Sequence, residues 1–253
     1  MAIFVQAVLV IGLSIAAALV GQVMVRRFVP LKVLSAHTAV AGIVYATLAV
    51  IYGVILGQVV VAAWDDYQDA KQAVNEEASA LVNLYRLAES WPAANRDPFQ
   101  QAVTGYARDV LDHEWPAMKR GGLSATPGGY PPLVAIWQAA GSVQDPSTRD
   151  SAEFETAIEM LTELENARST RLVISDHGLP PPLWAGLVAG ALVTVAFTYL
   201  LAVENRLVQA MMLGALAGMI ALLLFLAHVM EHPFQSGSGI DPIAFEVMLI
   251  ETE

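Results

Sequence analysis

The chain contains no cysteine and few charged residues, and these absences exclude several classes of protein. Without cysteine among its 253 residues, it can form neither disulfides nor thiolate metal sites. Charged residues make up 15% of the chain and hydrophobic residues 56%, a balance that favours a membrane protein over a soluble domain. The charges that exist are mainly acidic, with a net charge of -11. That excess of acid argues against nucleic acid as a partner.

Charge is absent altogether from four long apolar segments. Each is long enough to cross a hydrocarbon core of roughly 30 Å as a helix, which needs about 20 residues, and none has the polar stripe of a soluble core helix. The sequence therefore predicts an all-α, polytopic membrane protein of a cell (inner) membrane, with four transmembrane helices and the lipid bilayer as a partner. Two spans precede and two follow an acidic stretch: Ile3–Val25, Val40–Ala63, Pro182–Val203 and Leu207–Met230.

The predicted spans divide the chain into four parts. The first pair of transmembrane helices occupies residues 1–63, and a second transmembrane hairpin occupies residues 181–232. Between them lies an acidic extramembrane helical domain, residues 64–180, which holds 18 of the 24 acidic residues. A C-terminal tail occupies residues 233–253. A domain of this charge is not expected to dock on anionic lipid headgroups.

The acidic domain is predicted to be helical, because strand patterns are essentially missing. Apolar residues recur at three- and four-residue spacing from Tyr67 to Ala88. No proline or glycine lies between Gly57 and Trp91, so the second span is expected to continue unbroken out of the membrane. A second stripe predicts a returning helix near Ser151–Ser175. The two long helices would form the frame of an antiparallel bundle.

Shorter elements are predicted between these two helices. Asp97 caps and Pro98 opens a helix, which Pro116 ends. A linker rich in glycine and proline follows at Gly121–Pro132, and Leu133–Ala140 forms one short helix. These signals place two shorter helices between the two long ones.

Lysine and arginine near the spans predict the orientation. Arg26, Arg27 and Lys32 lie between the first two spans and Arg206 lies between the last two, whereas no Lys or Arg precedes the first span or follows the fourth. Because short loops rich in Lys and Arg stay in the cytoplasm, both short linkers are predicted to be cytoplasmic. Both termini and the acidic domain would then be periplasmic or extracellular. The first span lacks a basic segment before it, so we expect it to be retained rather than cleaved as a signal.

Three pairs of glycines in the spans have the GxxxG spacing that lets helix backbones approach within a bilayer. Such contacts can form within one chain or between copies, and the pattern leaves both open. A homo-oligomer is one expectation, and a membrane-protein partner is another. The pairs are Gly53 and Gly57, Gly186 and Gly190, and Gly214 and Gly218.

One acid and two arginines of the acidic domain are candidates for an ion pair. Glu77 borders the apolar stripe of the outgoing helix, and Arg168 and Arg171 lie near the stripe of the returning helix. A paired arginine and carboxylate would fix the register of the two helices. The alternative is an anion site made from the two arginines. Structural pairing is favoured, because acidic residues outnumber basic ones in this domain.

The end of the fourth span carries the spacing HxxEH, the inverted signature of some zinc proteases. His228 and His232 would share a helix face as metal ligands, with Glu231 between them. Pro233 follows at once, and few further ligands remain downstream. We therefore favour an interfacial helix end whose polar residues reach water. No catalytic residue, cofactor or resident metal is expected.

A few polar residues lie in or beside the predicted spans. Ionisable groups in a membrane are candidates for function by default, whereas amides and hydroxyls can also bond to neighbouring helices. Gln22, Thr194 and Thr198 carry such amides and hydroxyls. The candidates for a permeation path are His37, Gln58, Asp65 and Glu231.

Several short motifs resemble those of a known family. They are Glu77-Ala78, Leu84-Tyr85-Arg86, Tyr106-Ala107-Arg108, Glu114-Trp115-Pro116, Arg168 with Arg171-Leu172, Leu179-Pro180 with Leu183-Trp184, and Pro233-Phe234. Together they resemble the bacterial and plant membrane proteins of the bestrophin-like domain family. The likeness covers nearly the whole chain from His37 onward.

The resemblance implies kinship with the chloride-channel bestrophins, which share a two-plus-two arrangement of spans around a helical domain. Bestrophins keep that domain in the cytosol, whereas the charge pattern of this chain places it outside. Three functions are therefore considered: an ion channel or related pathway formed by a homo-oligomer, a non-catalytic accessory or scaffold subunit, and, remotely, a membrane metalloprotease. The acidic domain would concentrate cations rather than chloride at a pore mouth.

Overall fold

The described part of the chain is built of helices joined by turns and loops, and it contains no strand. The computed structural model describes residues 2–121, 130–143, 146–149, 151–176, 178–201, 203–235 and 239–252. Most of the predicted glycine- and proline-rich linker, residues 122–129, lies outside the described residues. The α-helices are α1 (Ala2–Phe28), α2 (Leu31–Leu87), α3 (Ala93–Asp109), α4 (Trp115–Lys119), α5 (Pro131–Gly141), α6 (Pro146–Arg149), α7 (Ala152–Asp176), α8 (Pro181–Thr198), α9 (Arg206–Glu231) and α10 (Ile243–Thr252).

The chain divides into two compact units. The first, called the span unit here, comprises Met1–Asp65 and Leu179–Glu231. The second, called the bundle unit, comprises Asp66–Gly178 and His232–Glu253. Among the described residues, four helices are long and apolar enough to cross a membrane, and all four contribute to the span unit. The fold class predicted from the sequence, four membrane helices in an all-α chain, is confirmed.

Helix α2 is a single helix of 57 residues. At about 1.5 Å per residue, it is roughly 85 Å long, more than twice the hydrocarbon thickness of a bilayer. It ends in a 3-10 turn at Ala88–Ser90, just before Trp91 takes an extended conformation and Pro92 follows. The predicted unbroken helix is confirmed, and α7 likewise confirms the predicted returning helix.

Glycines of the span unit permit two close helix contacts. On α9, a Cβ added at Gly218 would lie 3.2 Å from Ile15 of α1, and one at Gly214 would lie 3.6 Å from the same side chain. On α8, a Cβ at Gly190 would lie 2.6 Å from the ring of Tyr52 on α2, so only glycine fits there. The other three glycines of the predicted pairs have open space at this position: Gly53, Gly57 and Gly186.

The bundle unit has a continuous apolar core. Side chains from α2, α3, α5, α7 and α10 meet in it, and several are fully removed from solvent. Burying each large apolar side chain stabilises the unit by about 1.5–3 kcal/mol. The part of the chain predicted only as a tail contributes α10 to this core. The largest apolar members with no exposed surface are Leu81, Leu84, Phe99, Tyr106, Ile136, Leu161, Leu164, Phe245 and Met248.

The predicted start of the third helix is wrong. Helix α3 begins at Ala93, because the carbonyl of Pro92 accepts hydrogen bonds from the backbone N–H groups of both Asn95 and Arg96. Asp97 is therefore inside the helix, where its carboxylate accepts from Arg96 Nε at 2.8 Å instead of capping. Pro98 also lies inside the helix and removes one backbone donor.

Pro116 does not end the helical path, which corrects a second prediction. A π-helical turn, Val110–Glu114, joins α3 to α4, and Trp115 N–H donates to the carbonyl of Val110, five residues earlier. A proline ring clashes with the carbonyl four residues before it in a regular α-helix. The wider turn just before Pro116 gives the ring room, so the chain remains helical to Lys119.

Candidate functional site

A buried cluster of charged residues lies at the centre of the bundle unit. Arg171 on α7 has no exposed surface, and its guanidinium meets two carboxylates. Its Nε donates to Glu77 Oε2 at 2.6 Å, and its Nη2 donates to Glu77 Oε1 at 2.9 Å. The same Nη2 donates to Glu114 Oε2 at 2.7 Å. Glu77 therefore receives a two-point contact from one arginine, the strong geometry for this pair.

Two further residues complete the cluster. Arg168, one turn before Arg171, donates through Nη2 to Glu114 Oε1 at 2.6 Å. The hydroxyl of Tyr106 on α3 donates to Glu77 Oε1 at 2.6 Å. Two guanidinium groups thus face two carboxylates, and the buried charges balance. Removing charge from water in this way is tolerable only when each group is paired and hydrogen-bonded.

Electrostatics hold Arg171 and Tyr106 each in one protonation state. Burial lowers the pKa of Arg171, but attraction to Glu77 and Glu114 and its hydrogen bonds to Glu77 outweigh burial and raise it well above the usual range. Burial, together with the charge of Glu77, raises the pKa of the Tyr106 hydroxyl well above its usual range. The arginine stays charged and the tyrosine stays neutral through the physiological range.

The local sequence explains how this cluster forms. Glu77 follows the buried Val74 on the core face of α2, so its carboxylate points among apolar residues. Glu114 is the last residue of the π-helical turn that precedes Pro116. Sequence reasoning selected Glu77 and both arginines but missed Glu114 as their partner. The Glu-Trp-Pro motif was the available signal, since it contains the missing acid.

Apart from the buried Nε of Arg168, which has no partner, the cluster has little capacity for a mobile anion. Arg171 Nη1 lies 3.3 Å from Met118 Sδ, and its other nitrogens are taken by carboxylates. The guanidinium of Arg168 lies over the ring of Tyr130, 4.1 Å from the centroid. The carboxylates themselves occupy the positions that an anion would need. This arrangement favours structural pairing over an anion site.

Glu231 is held at the end of α9 by two donors of the span unit. Its Oε1 accepts from the backbone N–H of Leu179, and its Oε2 accepts from Trp184 Nε1 at 2.8 Å. The ring of His228 contacts Trp184 edge-on, with centroids 5.8 Å apart. Residues of two sequence motifs, Leu179-Pro180 with Leu183-Trp184 and the Glu231 of HxxEH, are thus parts of one contact.

The HxxEH residues offer ligand atoms close together, but the acid is engaged. Ligand atoms of His228 and Glu231 lie within 4.8 Å of one another, and His232 is the next residue of the chain. Glu231 would have to leave Leu179 and Trp184 before it could act beside a zinc ion, as a ligand or as a base. The engagement of Glu231 therefore disfavours the metalloprotease hypothesis.

The candidates for a permeation path lie in different places. Gln58 and Asp65 are both exposed on α2, seven residues or two helical turns apart, and thus share one face. Gln58 makes no hydrogen bond to any described residue. Glu231 is engaged as described above. The side chain of His37 lies outside the described residues.

Membrane-length helices in a two-plus-two order, joined to a helical bundle, define a polytopic α-helical membrane protein. The Bestrophin-like domain matches residues 12–245. Because this match covers most of the chain, the protein belongs to the bestrophin-like family. The resemblance noted from the sequence motifs is confirmed.

Crystal structures of bacterial bestrophin homologues have the same fold. A variant of the homologue from Klebsiella pneumoniae superposes with a TM-score of 0.75 at 12% identity, over 98% of this chain and 99% of that chain. Another crystal structure of the Klebsiella pneumoniae homologue superposes with a TM-score of 0.70 at 11% identity, over 95% of this chain and 96% of that chain. The crystal structure of a further membrane protein superposes with a TM-score of 0.75 at 10% identity, over 96% of this chain and 97% of that chain. No functionally curated protein sequence matches this chain.

Proposed function

We propose that the protein forms an ion-permeation pathway between several copies of the chain. Membership of the bestrophin-like family supports this function, and so does the likeness to bacterial bestrophin homologues over nearly the whole chain. No enzymatic role is part of the proposal. It also requires that some polar surface of the spans face water rather than lipid.

The exposed face of α2 is the observation that carries the proposal. Gln58 is a polar residue in a mainly apolar span, it is exposed in the single chain, and it makes no hydrogen bond to a described residue. An unpaired amide facing hydrocarbon is costly. A position on a water-filled path between copies removes that cost. Gly53 and Gly57, which have open space on the same helix, would let another chain approach closely.

Charge on this face favours cations as the conducted ions. Asp65, two turns beyond Gln58, is exposed at the boundary of the span unit. In a ring of copies it would supply one negative charge per chain, an arrangement found in cation-selective pores. We therefore propose cation permeation, in contrast to the chloride selectivity that kinship with bestrophins suggests.

We also propose that the short linkers of the span unit face the cytoplasm in an inner membrane. Arg26, Arg27 and Arg206 mark the ends of α1 and α9 as cytoplasmic by the positive-inside rule. The bundle unit and both termini would then be periplasmic. The opposite arrangement, that of bestrophins, is the competing orientation.

Flux into liposomes tests the proposed function. Liposomes loaded with potassium should lose it when they contain the purified protein, and protein-free liposomes should retain it. Gln58→Leu should reduce this flux while leaving the oligomer, measured by chemical crosslinking, intact. Gln101→Leu changes an exposed glutamine of the bundle unit and serves as the matched control. Flux equal to that of empty liposomes from a folded oligomer would reject the proposal.

A second candidate, an accessory or scaffold subunit, is favoured by one feature of α10. Ile243, Val247 and Ile250 are exposed at spacings of four and three residues, so they form an apolar stripe on this helix. Exposed apolar stripes mark surfaces that bind other proteins. Val247→Asp should abolish copurification of a partner protein if this function is correct and leave flux unchanged.

A further inference from the structure

A cavity at one end of the span unit is lined by arginines and no acid. Its volume is about 600 Å³, and it lies between the C-terminal part of α1 and the first turns of α9. Three apolar residues, Leu19, Val23 and Ala210, form part of its wall. Its polar lining consists of Gln22, Arg26, Arg27 and Arg206.

The polar groups of this cavity have unused hydrogen-bonding capacity. Gln22 is only 5% exposed, yet its amide bonds to no described residue. Arg26 is anchored through Nη2 to Val203 O and Gln209 Oε1, while its buried Nε has no partner. Arg27 and Arg206 are exposed and form no ion pair with any described residue. Buried donors are normally satisfied, so Gln22 and the Nε of Arg26 indicate a missing acceptor, beside which the exposed Arg27 and Arg206 supply positive charge.

The walls of the cavity are held in place by neighbouring contacts. The hydroxyl of Tyr199 donates to the carbonyl of Ala18 on α1 at 3.0 Å. A Cβ at Gly21 would lie 2.6 Å from this hydroxyl, so glycine is needed for Tyr199 to pack there. Gln209, which accepts from Arg26, also donates to Leu201 O at 3.2 Å. The two buried donors, the amide of Gln22 and the Nε of Arg26, are therefore held on a fixed frame.

We propose that this cavity binds a phosphate-bearing anion, namely the headgroup of an anionic phospholipid. Guanidinium groups bind phosphate oxygens through short, charge-assisted hydrogen bonds. Basic pockets between transmembrane helices are suited to anionic headgroups. The apolar wall of Leu19, Val23 and Ala210 suits the glycerol and first acyl carbons of a lipid better than a free anion. This site is separate from the proposed permeation face on α2.

Arginines at the ends of membrane helices also attract anionic lipid without any specific site. Gln22 distinguishes the two cases. It is uncharged and buried, so it contributes nothing to long-range attraction but can donate to a bound phosphate. A specific site loses affinity when Gln22 changes, and a diffuse basic surface does not.

Binding of defined lipids to purified protein in a neutral detergent tests the proposal. Native mass spectrometry should detect phosphatidylglycerol bound more tightly than phosphatidylcholine. Gln22→Leu and the double variant Arg27→Gln/Arg206→Gln should each lower the affinity for phosphatidylglycerol at least about tenfold, since each removes hydrogen bonds to a charged group. Arg108→Gln, an exposed arginine of the bundle unit without an ion pair among the described residues, should leave affinity unchanged.

Inorganic phosphate provides the second arm of the test. If phosphate alone competes with phosphatidylglycerol at equal concentration, the site stands and its occupant is a free anion. If phosphate does not compete, the lipid is the occupant. Equal affinity for phosphatidylcholine and phosphatidylglycerol, or undiminished affinity in Gln22→Leu, would overturn the proposal. Circular dichroism of each variant confirms that the helices remain folded.

Discussion

Arg171 connects three helical segments of the bundle unit through its side chain. It joins Glu77 on α2 to Glu114 in the π-helical turn from its own place on α7. Sequence reasoning reached Glu77 and the arginines, because an acid and a base at similar heights on antiparallel helices are visible in the chain. It could not assign Glu114 to them, because a π-helical turn leaves no clear pattern and decides where that carboxylate points.

Double-mutant cycles should measure this connection. Glu77→Ala and Arg171→Ala should each lower the free energy of unfolding by roughly 3–5 kcal/mol, since each leaves a buried charge unpaired. The loss of unfolding free energy in the double variant should be smaller than the summed losses of the two single variants, by at least about 1 kcal/mol. Arg108→Ala should change stability by less than about 0.5 kcal/mol. Strict additivity of Glu77→Ala and Arg171→Ala in denaturant unfolding would show that the pair is not coupled.

Alkaline pH should destabilise the bundle unit through Tyr106. Its folded pKa lies above its ordinary value of 10.0, because burial and Glu77 oppose ionisation. The folded state therefore keeps the proton longer than the unfolded state, so this stabilisation is complete below about pH 10 and is lost as pH rises toward the folded pKa. In thermal unfolding followed against pH, Tyr106→Phe should show a weaker decline above pH 10. An unchanged slope would contradict this account.

At the level of elements, periodicity predicted the long helices and local signals misplaced the shorter ones. Helix α2 could be read from its sequence, because it has no proline or glycine between Gly57 and Trp91. Asp97 with Pro98 is a start signal of similar clarity, yet α3 begins at Ala93. The reason is that the carbonyl of Pro92 already receives two backbone donors, a contact that the residue types around Asp97 do not indicate.

The contact at the end of α9 links two elements of the span unit. Glu231→Ala should free the N–H of Leu179 and the indole of Trp184, and should lower the melting temperature by several degrees because charged hydrogen bonds contribute roughly 1.5–3 kcal/mol. Glu231→Gln keeps an acceptor and should lose less. Trp184 fluorescence follows the local change directly. The purified protein should contain no stoichiometric zinc, and about one zinc per chain, lost in His228→Ala, would revive the metalloprotease hypothesis.

For the whole molecule, the order of spans and bundle could be predicted from apolar runs and acidic composition. The polar face of α2 could be predicted only in part. Gln58 and Asp65 were visible as polar residues near a span, but their shared exposure depends on how α2 packs against α8 in the span unit, where Tyr52 and Leu56 face inward.

The proposed orientation can be tested with reporters fused after Glu253. An enzyme active only in the periplasm should be active there, because the basic residues of the span unit lie at the opposite ends of the spans. A cytoplasmic reporter at the same point should be silent. The reverse pattern would establish the arrangement of bestrophins and move the proposed lipid site to the periplasmic leaflet.

Current through a planar bilayer is the direct measure of ion permeation by the oligomer. Purified oligomer should give discrete currents under a gradient of potassium chloride, with a reversal potential of the sign expected for cations. Asp65→Asn should shift that potential toward zero, because it removes one negative charge per chain from the proposed path. Folded oligomer that carries no current above that of protein-free bilayers would contradict the account.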